Sequence, residues 1–209
     1  MCIFYRRKKL KTTLKEFFKK DENRNNLHLY REYALIEKEI GKFDNCVNIL
    51  QTAIQSQNTR PSEIQNPEEK SALLSLYRTF VETLLDLETY KETHKTQILD
   101  VMKQIIPETN GNQLLQVEEY LENCVRNFLQ EAPLENEENV YFLPNVKCDT
   151  IVCYAYLLYV QNSDINRVTS LFKIYINHYK DNHYMQVANL MSLFFCSKNF
   201  TVYLTYCTL

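Results

Sequence analysis

Glycine is nearly missing from this chain of 209 residues: only Gly41 and Gly111 occur. β-Rich folds need many tight turns with positive φ, which glycine normally supplies, so the shortage points to helices. Phosphate-cradling loops of the G-x-G-x-x-G or P-loop kind are excluded for the same reason. Tryptophan is absent, and the five prolines all fall between Pro61 and Pro144. No C-x-x-C pair exists among the seven cysteines, Cys2, Cys46, Cys124, Cys148, Cys153, Cys196 and Cys207. Their odd number and apolar neighbours suit a reducing compartment in which cysteines serve as small core hydrophobes. The longest apolar runs, Ile151–Val160 and Val187–Cys196, reach half of the roughly 20 residues a spanning helix requires, so membrane insertion is not expected. The apolar stretch before Arg6 is too short for a signal peptide.

What is present suits a folded core: 45% of residues are hydrophobic and 24% charged, outside the disordered range. A net charge of −2 gives no global drive toward nucleic acid or an anionic surface. Arg6, Arg7, Lys8, Lys9 and Lys11 form a local basic run. Its simpler reading is the solvated approach to a first helix; the alternative is a nuclear-import or phosphate-binding patch.

Helical periodicity recurs throughout. Leu10, Leu14, Phe17 and Phe18 share a face of a basic amphipathic segment. Leu29, Tyr33, Ile36 and Ile40 follow, and Gly41 stands where a helix would end left-handed. Phe43, Cys46, Val47, Leu50, Ala53 and Ile54 make the next stripe, so 27–57 reads as two antiparallel helices. Asn66-Pro67-Glu68-Glu69 opens another helix, with a cap, a proline at the first position and acids at the positive end of the dipole. Its pair spans 67–106, a third pair joins 112–132 with 149–162 across a loop at 131–148, and a fourth covers 164–197. The expected fold is all-α, with antiparallel helix pairs stacked as one TPR-like solenoid over 1–209. The first segment has no helix before it, and Phe200–Leu209 is apolar to the last residue. Solenoid ends normally carry polar caps, so the chain reads as part of a longer array.

Leu29-Tyr30-Arg31-Glu32-Tyr33-Ala34 aligns with Leu76-Tyr77-Arg78-Thr79-Phe80-Val81 at an offset of 47 residues. On these residues, 29–54 resembles a HAT (half-a-TPR) repeat. The aromatic, second aromatic, small and glutamate positions are Tyr30, Tyr33, Ala34 and Glu37; the second helix is represented by Cys46, Ile49, Leu50, Ala53 and Ile54, and Tyr77 and Phe80 echo the aromatics. Tyr30 stands where the repeat usually has tryptophan, Val47 and Thr52 where it has arginines, and Leu84 where a second copy would have glutamate. The full motif covers about one eighth of the chain. The run from Leu29 to Glu37, the following helix and the long polar insertion look most similar to the nuclear RNAi-defective-2 family; crooked-neck-like splicing factors and the cleavage-stimulation-factor scaffold are also similar.

The resemblance implies a non-enzymatic protein-interaction scaffold in the nucleus, in RNA processing, RNA-mediated silencing, splicing or regulation of the nuclear exosome. It also implies an exosome-associated RNA helicase as partner, although the family's helicase-binding region has no counterpart here. The rival expectations are a TPR-like cytoplasmic adaptor and an RNA-binding solenoid of a splicing or 3′-end-processing factor. Direct RNA binding is the less expected mode, because basic residues beyond the first helix are interleaved with acids.

No catalytic, cofactor or metal site is expected. His28, His94, His178 and His183 are scattered, and both His178/His183 and Cys148/Cys153 are five apart rather than three or four. Cys46 and Cys124 lie on apolar stripes, where packing outweighs nucleophilic use. Glu118–Glu119 and Glu135–Glu138 read as solvated face and loop, without the partner and pocket that carboxylate catalysis needs.

Overall fold

A computed structural model describes residues 2–58, 67–86, 92–107, 110–131 and 145–178, with side chains from Lys9 onward except those of Asn58 and Pro67. The described residues form eight α-helices and no strand: α1 (Cys2–Phe18), α2 (Leu27–Glu39), α3 (Phe43–Asn58), α4 (Pro67–Leu85), α5 (Glu92–Met102), α6 (Gln113–Gln130), α7 (Val146–Asn162) and α8 (Ile165–His178). The protein is all-α over these residues. The expected segment at 184–196 and the apolar tail Phe200–Leu209 lie outside them. The chain has two compact units, Met1–Leu87 and Glu88–Leu209. α4 belongs to the first and α5 to the second.

In the first unit, Asn26 caps α2 by accepting from the Leu29 N–H at 3.3 Å. The helix ends at Gly41, whose φ is +82°. The Gly41 N–H donates to the Lys38 carbonyl and the Lys42 N–H to the Glu37 carbonyl, each at 2.9 Å. This paired closure satisfies two carbonyls that a helix end otherwise leaves open. The chain therefore reverses within three residues, and α3 packs back along α2. α4 opens on Pro67, where a missing N–H costs nothing, with Glu68 and Glu69 in its first turn. It packs against both α2 and α3.

The face that α4 presents carries Ser71, Ser75, Thr79 and Thr83, spaced by four and all buried. Ser75 donates to the Ala72 carbonyl, Thr79 to that of Ser75 and Thr83 to that of Thr79, each at 2.7 Å. Such back-bonding satisfies a hydroxyl without a partner from another helix. Arg31 of α2 reaches Thr79 Oγ1 at 3.3 Å, and the Cys46 sulfur of α3 lies 3.8 Å from Thr83 Oγ1.

In the second unit α5, α6 and α8 all pack on α7. Every residue of α7 from Cys148 to Leu158 is buried, so this helix is apolar around most of its circumference rather than along one stripe. It begins three residues before the expected start at 149. Asn145 makes this possible: its side chain accepts from the Cys148 N–H at 3.0 Å while its own N–H donates to Asp149 Oδ2 at 3.1 Å. At the other end Ser163 adopts φ 55°, its N–H donating to the Tyr159 carbonyl at 2.7 Å, and Asp164 caps α8 through the Arg167 N–H at 2.9 Å.

Candidate functional site

The residues of the repeat motif come together in the first unit, mainly as core. Ala34 of α2, Cys46, Leu50, Ala53 and Ile54 of α3, and Tyr77 and Phe80 of α4 are buried; Ile49 is half-buried. Tyr30 and Tyr33 are half-buried and receive Phe18 of α1, with ring centroids 4.7 and 5.9 Å apart. The Tyr30 hydroxyl donates to the Arg24 carbonyl at 2.9 Å. The stripe expected on α2 is displaced: Leu29, Tyr33, Ile36 and Ile40 are half-buried, while Leu27, Ala34 and Glu37 face fully inward.

Glu37 is the unusual member. Its side chain is 1% exposed, and three helices converge on it. Lys11 of α1 forms an ion pair with Oε1, and Asn45 of α3 donates to Oε2 at 3.3 Å. The Lys11 ammonium also lies 5.8 Å from the Tyr33 ring centroid. Burial alone would raise the Glu37 carboxyl; hydrogen bonds from Lys11 and Asn45 outweigh it and hold the group below its ordinary value. The hydrogen bond with Glu37 raises Lys11, against the opposing effect of burial. Burial also pushes the Tyr33 hydroxyl up. At neutral pH the node is an ammonium and a carboxylate locked together, which suits it to tying helices rather than exchanging protons.

Lys11 therefore departs from the expected basic patch. Its side chain is turned to Glu37, whereas Lys9 is exposed. Arg6, Arg7 and Lys8 belong to α1, but their side chains lie outside the described residues. The expected apolar face of α1 also splits. Leu14 is buried and Phe18 half-buried against the unit, whereas Leu10 and Phe17 are 50% and 43% exposed. The Lys20 ammonium sits 5.4 Å from the Phe17 ring centroid.

The remaining polar links tie helix to helix within each unit. Lys38 pairs with Asp86 at 3.2 Å. In the second unit Arg167 of α8 reaches Glu118 of α6 at 3.0 Å and the Tyr154 hydroxyl of α7 at 3.2 Å. Burial pushes the Cys46 thiol up, which keeps it protonated in its place beside Thr83. Cys148 and Cys153 are buried in α7 and Cys124 is partly buried in α6. Among the described residues no three His, Cys, Asp or Glu side chains gather as a metal-binding group, and no helix is long and apolar enough to cross a membrane. His183, Glu135 and Glu138 lie outside the described residues.

Sequence reasoning places Glu37 in the motif and Lys11 in the basic run, but does not join them. The residues are 26 apart, and neither spacing nor periodicity relates α1 to α2. The available signal was a glutamate standing between Ala34 and Ile40 on an otherwise inward-facing helix. Compared with models of known families, with curated proteins and with solved structures, the chain finds no match in any of the three.

Proposed function

We propose that this chain is a non-enzymatic protein-interaction scaffold, built from HAT-like helix pairs stacked as an α-solenoid and acting in nuclear RNA processing or RNA-mediated silencing. One observation carries the reading. The small and aliphatic positions of the motif, Ala34 on α2 and Cys46, Leu50, Ala53 and Ile54 on α3, are buried together in a helical hairpin against which the next helix packs. A repeat in which each hairpin supports its neighbour gives an extended surface, and such surfaces bind proteins through many small contacts.

The buried polar groups favour a scaffold as well. Glu37, Thr79 and Thr83 each bond to another element or to their own helix, so they are occupied in holding the packing. The partners of this reading are proteins of nuclear RNA-processing complexes. Affinity purification of the tagged full chain from nuclear extract tests it. Co-purification of RNA-processing proteins that survives nuclease and physiological salt is expected. Recovery of cytoplasmic chaperones alone, or of RNA that is lost between low and physiological salt, would overturn it.

A further inference from the structure

We infer that the outer face of α1 is a docking strip for an acidic amphipathic helix of a partner protein; the inference rests on the scaffold reading and names one of its contacts. Leu10 and Phe17 are seven residues apart, so they lie on one side of α1 about 10 Å from each other. Both are large and about half exposed, although Leu14 and Phe18 of the same helix are drawn against the unit. Thr13 lies between them, and its hydroxyl donates to the Lys9 carbonyl at 3.1 Å, so the strip between the two knobs carries no unmet donor.

Positive charge brackets the strip. Lys9 lies one turn before Thr13, and Lys20, in the extended link that follows α1, holds its ammonium over the Phe17 ring. Lys19 is taken by Glu16 at 2.7 Å, but neither Lys9 nor Lys20 forms an ion pair with a described carboxylate. Two apolar knobs two turns apart, with an unpaired lysine at either end, complement a helix bearing aliphatic residues at i, i+3 or i+4, and i+7 and carboxylates beside them. An anionic bilayer is the poorer fit, since the side chains best able to insert, Leu14 and Phe18, are already committed to packing. Phosphate recognition would use the lysines and leave Leu10 idle.

The test is selection from a phage-displayed library of helical peptides against the full chain. Enrichment of acidic sequences with aliphatic i, i+3/i+4, i+7 spacing is expected. Leu10→Ser with Phe17→Ser should weaken a selected peptide at least tenfold. Lys9→Glu with Lys20→Glu should do the same, and a charge-reversed peptide should restore binding. Circular dichroism checks that the variants keep their helices; if the serine pair does not, the charge-reversal arm decides alone. Selection without this pattern, or peptides that bind the variants equally, overturns the inference. So does capture instead of phosphatidylserine vesicles or oligouridine, or self-association through Leu10 and Phe17. If nuclear partners co-purify as well with the serine variant as with the wild type, only the docking strip is lost; if they fail with the wild type, the scaffold reading is lost.

Discussion

Replacing Lys11 by methionine leaves a carboxylate that is 1% exposed facing an alkyl chain. Replacing Glu37 by glutamine leaves an ammonium whose side chain is already 22% exposed and can turn to water. The two halves of one ion pair should therefore cost different amounts. For Lys11→Met the stranded charge sets the scale, about 3 kcal/mol, the low end for breaking a buried pair. The free energy with which α1 docks caps this cost, because lifting α1 away rehydrates Glu37. For Glu37→Gln the loss is one charge-assisted bond, about 1.5–2 kcal/mol, the low end for a bond to a charged group. The double variant should resemble Glu37→Gln, so the coupling should equal the Lys11→Met cost in size, about 3 kcal/mol. Native-state hydrogen exchange on α1 and α2 is the assay, since it reads local opening without treating the two units as one transition.

Acidity supplies the second axis. Because the Glu37 carboxyl is held below its ordinary value of 4.5, the stability it contributes is complete above that pH and lost as pH falls through the lowered folded value. Methionine at 11 removes the main hydrogen bond opposing burial, so the folded value rises and the sign reverses. The gap between wild type and variant should then narrow on acidification. On the alkaline side the Lys11 contribution persists up to 10.5 and disappears as pH rises through its raised folded value. Equal costs for the two single variants, a coupling below about 0.5 kcal/mol, or a gap that widens in acid would refute the reasoning.

Two turns should respond in opposite directions. At Gly41 a Cβ would meet nothing within 4 Å, so Gly41→Ala should lose only the backbone term, about 1–2 kcal/mol, seen as a lower thermal midpoint with α2 still formed. At Ser163, a non-glycine residue already at φ 55°, Ser163→Gly should raise the midpoint, worth about 0.5–1 kcal/mol after the added chain entropy. Phe172→Ala empties a fully buried site on α8 and should destabilise the second unit by about 3–5 kcal/mol, read by denaturant melting.

The all-helical class and most described boundaries were legible because they depend on local chemistry. Gly41 marks the end of α2, Pro67 the first residue of α4, and the α6 and α8 stripes carry their own period. α7 was harder to place. Neighbours cover it on several sides, so no stripe fixes its orientation, and its early start depends on the Asn145–Asp149 exchange inside a stretch that otherwise reads as loop. The exposure of Leu10 and Phe17 was also hidden, since periodicity identifies an apolar face but not which edge of it a neighbour covers. The burial of Glu37 was not legible for a related reason. A charge reads as surface until its partner is known, and here that partner comes from a different helix.

The self-satisfied hydroxyls of α4 change what that seam demands of a sequence. With Thr79 and Thr83 donating to their own helix, the neighbouring helices meet short side chains whose donors are already spent. Girth, not hydrophilicity, is then the restricted property at 75, 79 and 83. Diverged versions of this seam should carry alanine, cysteine or valine at those places as readily as serine or threonine, and should reject leucine and asparagine alike.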